Sequence, residues 1–281
     1  MTYAAPLGRA AADIASARDE RIARRLAPSP FLAAPLRALG YDSRETWGWD
    51  SYKASVLAYV EHCRAAGRHQ GGLVRMIEIG GGRGPLLAPE EAAAAGAAYT
   101  VNDISERELS LAPPDFARAL FNVAGDLAPE WRGRFDLVFS RMVMEHVKDA
   151  PRAWANMASL LAPGGVALAF HPTLYAPPFL INHLVPESLT APVLRLFFSD
   201  RHDGDFPKFP ARYELCRARP EVIEPALRRA GFREAFSAPF WGDRYFRRIP
   251  LLREANDALS AMAEARDWRW LASYAYTLGR A

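Results

Sequence analysis

A carboxylate and three alternating glycines carry the first chemical signal in this chain: Glu78, Gly80, Gly82 and Gly84, within the stretch Val74 to Gly84. Glycines this dense after an apolar run mean a tight turn whose backbone a ligand can approach, since no Cβ stands in the way. The spacing is not that of the dinucleotide loop G-x-G-x-x-G, because Pro85 takes the third glycine's place counted from Gly80 and Gly82. Asp103 comes 19 residues after Gly84, near the spacing of roughly 20 residues at which an acid binds ribose hydroxyls. A carboxylate accepts both hydrogen bonds of a cis-diol. The competing role for Asp103 is a helix N-cap, and Ser105 would serve there equally. For proton transfer the chain offers His146, His171, His183, His202 and Glu145. His146 and His171 rank first because each follows the C-terminal tip of an expected strand, where open α/β sheets bind ligands.

The elements that must position these groups follow from periodicity. Val74 to Ile79 reads as a buried parallel strand, apolar and β-branched apart from Arg75 and Glu78. Pro85 and Pro89 delay the next helix, which is expected to start near Pro89 and end at Ala95. Further strands are expected at Ala98 to Val101, Leu120 to Ala124, Phe135 to Phe139, Val166 to Phe170, Glu234 to Phe240 and Ala272 to Leu278. Between them Asp149 caps a helix whose core face is Trp154, Met157, Leu160 and Leu161. Helices are also expected over Val222 to Ala230 and Leu251 to Ala265. Upstream, residues 9–26 form a helix, Pro28, Pro30 and Pro35 break the chain, and Ser51 to Arg64 is helical again.

With 281 residues, half of them hydrophobic, the chain can bury one large α/β core. Its formal charge of +3, from 35 basic against 32 acidic residues, is interspersed and does not suggest nucleic acid as a partner. Cys63 and Cys216 belong to no metal-binding or disulfide pattern. No signal peptide and no run of bilayer length is expected, so the sequence reads as soluble and cytoplasmic.

Taken together, residues 74–172 resemble the class I S-adenosylmethionine-dependent methyltransferases, whose first motif is E/D-x-G-x-G-x-G at the end of strand one. The Glu145-His146 pair after the fourth strand and the Pro163-Gly164-Gly165 turn before the fifth fit the same family. The resemblance implies an α/β, doubly wound, mostly parallel seven-stranded Rossmann-like sheet with one antiparallel strand near the end. It implies S-adenosylmethionine as cofactor, held by Glu78, Gly80, Gly82, Gly84, Asp103 with Ile104, and Ser140. It also implies Asp126 on the adenine amine with Leu127 packed on the ring, a plain turn being the alternative because Gly-Asp dipeptides are common in turns. Arg141 and Met142 precede Glu145, so no metal is carried over.

The chain then divides into an N-terminal helical cap (1–72), the cofactor core (73–172), an inserted lid (173–219) and the C-terminal part of the sheet (220–281). Aromatic residues crowd the insertion, which suggests a lid over an apolar cleft or a satellite cluster without a ligand. Trp49, Tyr175, His183 and Tyr213 are the candidate contacts to a small, largely apolar acceptor such as a natural-product or lipid-like molecule, and a peripheral membrane contact is compatible with the insertion. Two other readings stay open: sulfonium chemistry other than methylation, such as cyclisation, and a binding protein with a vestigial cofactor.

Overall fold

The computed structural model describes residues 7–27, 30–184 and 210–281. The seven strands of its sheet are β1 (Val74–Ile79), β2 (Ala97–Asp103), β3 (Ala117–Leu120), β4 (Phe135–Arg141), β5 (Leu161–Pro172), β6 (Glu234–Phe240) and β7 (Tyr274–Arg280), in the spatial order β3-β2-β1-β4-β5-β7-β6. All neighbours are parallel except β7, which runs antiparallel to both β5 and β6. The order reverses between β1 and β4, and a doubly wound sheet opens its ligand crevice at such a switch point, outside the strands' C-terminal ends. Burial follows: β4 is covered at every position but its terminal Arg141, as the apolar run Phe135 to Phe139 requires.

Four helices precede the sheet: α1 (Leu7–Leu26), α2 (Pro30–Ala38), α3 (Glu45–Asp50) and α4 (Tyr52–Ala65). They share one core with the strands, α4 contributing the buried face Tyr52, Val56, Tyr59, Val60 and Cys63. Fully burying a side chain such as Val56 stabilises the fold by roughly 1.5–3 kcal/mol. The contact is keyed by tyrosine hydroxyls, whose O–H groups must find acceptors once buried. Tyr52 donates to the Ser140 carbonyl at 2.5 Å, Tyr41 to Pro239 at 2.5 Å and Tyr276 to Gly48 at 2.5 Å. α3 lies so close to β6 that a Cβ on Gly48 would come within 3.0 Å of the Phe240 ring.

Three local expectations change. Pro35 does not end a helix but sits inside α2; it removes one intrahelical backbone donor past the first turn, and burial of Leu32, Ala33 and Leu36 offsets that. β3 ends at Leu120 instead of beginning there, because Asn102 in β2 reaches across with its side-chain amide to the Ala119 and Phe121 carbonyls at 2.8 and 3.0 Å. The Pro163-Gly164-Gly165 turn is an irregularity inside β5, where pairing to β4 jumps from Phe135↔Leu161 to Leu137↔Val166. The delayed helix is present as expected, as α5 (Pro89–Ala94). Asp149 caps α7 (Ala150–Leu160), its carboxylate accepting from the Arg152 N–H at 2.9 Å. Among the described residues no helix is long and apolar enough to cross a membrane.

Candidate functional site

The glycine loop leaves β1 in a conformation that requires glycine. Gly80 has φ +70° and Gly82 φ +45°, the left-handed region that costs an L-residue. Space forbids a side chain as well. A Cβ on Gly80 would meet Val143 Cγ2 at 2.6 Å, one on Gly82 would meet Asp103 Oδ2 at 2.8 Å, and above Gly84 nothing lies within 4 Å. The loop therefore threads between the tips of β4 and β2 and opens outward at Gly84. Glu78 braces it from beneath: this buried carboxylate accepts the Leu86 N–H at 2.9 Å and the Tyr99 hydroxyl. Burial raises its pKa, and those two hydrogen bonds, followed by the charge of Arg141, oppose the shift.

At the tip of β2 the two roles weighed for Asp103 separate. Ser105 caps α6 (Glu106–Ser110), its hydroxyl accepting from Glu108 N–H at 3.3 Å. Asp103 accepts the Ser105 N–H at 2.9 Å through Oδ1, while Oδ2 faces the Gly82 backbone. Its pKa is raised by burial first, with repulsion from Glu108 adding to the shift. Glu108 itself clamps the loop residue Arg83 through two bonds of 2.6 Å. Ile104 next to Asp103 is 57% exposed, an apolar surface left in water beside the loop. Asp126 is fully exposed and paired with Arg152, whereas Leu127 is buried. The turn between them and β3 is shaped by Asn156, which donates to Val123 and Gly125 carbonyls at 2.8 Å each.

The segment after β4 folds back sharply at Met142, a non-glycine residue at φ +57°. The turn Met144–His146 that follows buries Glu145 and leaves His146 half-exposed, with its Nδ1 3.4 Å from the Pro210 carbonyl. Burial pushes Glu145 up to about 8, and its Oε2 has no hydrogen-bond partner. The Glu145 carbonyl accepts the backbone N–H groups of Arg212 and Tyr213 at 2.6 and 3.1 Å, tying the far end of the insertion to the β4 tip. Ser140 is wholly buried and its hydroxyl is unpartnered.

His171 lies away from the cleft. It is 1% exposed, with Nδ1 3.0 Å from the Pro172 carbonyl and Nε2 2.9 Å from Thr277 Oγ1. Burial lowers its pKa to about 4, so the ring is neutral and both nitrogens are engaged. The sequence put it past a strand tip; β5 runs on to Pro172 and pairing with β7 encloses it.

Of the candidate acceptor contacts, Trp49, Tyr213 and His183 join one aromatic arc at the C-terminal edge of β5 and the facing end of β7. Trp49 packs edge-on against Phe170 (4.9 Å) and Tyr274 (5.7 Å); Tyr274 meets Phe179 (5.3 Å), Phe179 meets Tyr213 (6.1 Å), and Tyr213 meets His183 (6.0 Å). Tyr175 is apart, its ring under the Arg217 guanidinium at 4.8 Å. Phe179 and His183 lie on α8 (Pro177–Leu184). His202 and the rest of the expected lid over residues 185–209 fall outside the described residues. Sequence reasoning missed Tyr274, whose strand was legible but not its meeting with Phe179 of the insertion, and Arg141 at the end of β4. Two surface depressions of about 530 and 310 Å³, one lined by Arg219, Trp268 and Trp270 and one by Arg21, Arg24 and Arg266, contain no residue of the loop or the arc. Among the described residues no cluster of three or more His, Cys, Asp or Glu is arranged to hold a metal ion.

A loop that cannot take a Cβ at Gly80 or Gly82, a bracing glutamate and a strand-tip aspartate fit a ribose-bearing methyl donor. The family model described as "Methyltransferase domain" matches residues 19–274. The chain belongs to this family. S-adenosylmethionine is the family's cofactor. Among curated relatives, the ubiquinone biosynthesis O-methyltransferase of a Caulobacter species is 34% identical over 101 residues, which is 34% of this chain and 39% of the relative. That of Aromatoleum aromaticum is 36% identical over 97 residues, 32% of this chain and 41% of the relative. The match thus spans about two fifths of those relatives. Among solved structures, the DszA carbon methyltransferase superposes with TM-score 0.52 at 16% identity, over 83% of this chain and 54% of that one, a likeness of fold.

Proposed function

We propose that this methyltransferase moves the methyl group of S-adenosylmethionine to a small acceptor with a largely apolar, ring-bearing body. The observation that carries this is the aromatic arc from Trp49 to His183, placed at the same sheet edge as the glycine loop. The sulfonium is already a strong electrophile, so the protein's task is alignment: it holds the acceptor's lone pair in line with the methyl group. In this reading Asp103 takes the ribose diol, Leu127 and the exposed Ile104 flank the adenine, and Asp126 exchanges Arg152 for the exocyclic amine. The described parts of the insertion, 173–184 and 210–219, supply one wall of the acceptor site through Phe179, His183 and Tyr213.

The curated relatives are named O-methyltransferases; if the acceptor here is likewise an oxygen, a hydroxyl holds its proton at neutral pH and needs a base. His146 is the candidate: half-exposed, at the β4 tip, with the Glu145 carboxyl 3.8 Å away. His171 is assigned a structural role because both its nitrogens are occupied. The test is a panel of hydroxylated aromatic and amine acceptors with methyl-labelled S-adenosylmethionine. Label in an aromatic ether together with S-adenosylhomocysteine supports the proposal. Methylthioadenosine as product would establish the cyclising alternative instead, and tight NAD binding with no response to the sulfonium cofactor would end the methyl-donor reading.

A further inference from the structure

Arg141 ends β4 and is the one exposed position in that strand. In the register with β1, Ser140 lies opposite Ile79, so Arg141 is level with the first residue of the glycine loop. On its other side it pairs with Phe170, the ring on which Trp49 packs. It therefore stands between the two halves of the site, the loop and the aromatic arc. Its charge reaches Glu78 beneath the loop and the Tyr52 hydroxyl behind β4.

This guanidinium has no hydrogen bond or ion pair among the described residues. The loop's own cation, Arg83, is committed to Glu108, and Lys53 of α4 is committed to Glu91 of α5. Beyond its longer-range pull on Glu78 and Tyr52, it is engaged by no group among the described residues. The methyl donor supplies a partner: its methionine end is a zwitterionic amino acid, and a carboxylate drawn out of water needs charged donors in its place. The planar fork of a guanidinium matches a carboxylate with two parallel N–H···O bonds.

We infer that Arg141 binds the carboxylate of the methionine moiety and so sets the end of the cofactor from which the methyl group projects toward the aromatic arc. This rests on the methyl-donor reading. Calorimetry separates the two, using wild type, Arg141→Gln and Arg141→Lys with two probes: S-adenosylhomocysteine and the analogue that lacks only its carboxylate. Losing a hydrogen bond to a charged group weakens binding roughly 10- to 150-fold. That loss is expected for Arg141→Gln with S-adenosylhomocysteine, a smaller one for Arg141→Lys, and none for either variant with the analogue. Unchanged S-adenosylhomocysteine affinity in Arg141→Gln, or an equal loss for both probes, overturns the inference. Wild type binding neither probe overturns the methyl-donor reading and this inference with it. Should a variant fail to fold, the wild type alone decides: equal affinity for the two probes leaves Arg141 without the role.

Discussion

Replacing Gly80 by alanine tests the glycine loop most directly, because two independent costs can be read from the structure. The first is conformational: at φ +70° an L-residue costs about 1–2 kcal/mol. The second is steric: the new Cβ would stand 2.6 Å from Val143 Cγ2. Val143 has little freedom to retreat, since it follows the left-handed Met142 and its carbonyl accepts the His146 N–H at 2.9 Å. Forcing a methyl into such a contact costs about 1–3 kcal/mol. Gly80→Ala is therefore expected to lose about 2–5 kcal/mol in denaturant unfolding. Adding Val143→Ala removes the clash and not the strain. A double-mutant cycle should then return a favourable coupling of about 1–3 kcal/mol while the conformational cost persists. Cofactor affinity should fall in the single variant and recover only partly in the double. A stability loss under about 1 kcal/mol, or no coupling between the two sites, would refute the argument that Gly80 is required by close approach of the β4 tip.

Three other outcomes follow from the same geometry. Asp103→Ala should weaken S-adenosylhomocysteine binding by about 1.5–3 kcal/mol with unfolding unchanged, since Ser105 already caps α6; unaltered affinity, or unfolding of the variant, would remove the ribose role. Trp49→Ala should raise KM for the acceptor and leave cofactor affinity intact, and an equal loss of both would move Trp49 to the cofactor side. The pH dependence of the urea midpoint should show two opposite limbs. Glu145 is raised from 4.5 to about 8, so its contribution is full below pH 4.5 and is lost as pH rises to about 8. His171 is lowered from 6.5 to about 4, so its contribution is full above pH 6.5 and is lost as pH falls toward 4. Glu145→Gln should flatten the first limb and His171→Asn the second; wild-type slopes in the variants would show that other groups govern the titration.

Much of this site is local, and local chemistry is legible in a sequence. Alternating glycines after an apolar run, Pro85 in the way of a dinucleotide loop, and an acid at the next strand tip each act over a few residues. β1 and β6 accordingly span the residues their patterns predict, and the helix delayed by Pro85 and Pro89 starts where expected. What the tertiary structure alone decided depends on residues far apart in the chain. Asn102 draws β3 three residues upstream of its most apolar stretch through carbonyls 17 and 19 residues away. His171 looks like a base at a strand end until Thr277, 106 residues later, closes over it from β7. Trp49 finds its neighbours in Phe170 and Tyr274, and no periodicity links the three. Arg141 reads as one more surface arginine; register against β1 and β5 sets it between loop and arc, and that placement singles it out. Propensity and turn chemistry act along the chain, whereas burial and pairing are set by whichever strand folds alongside.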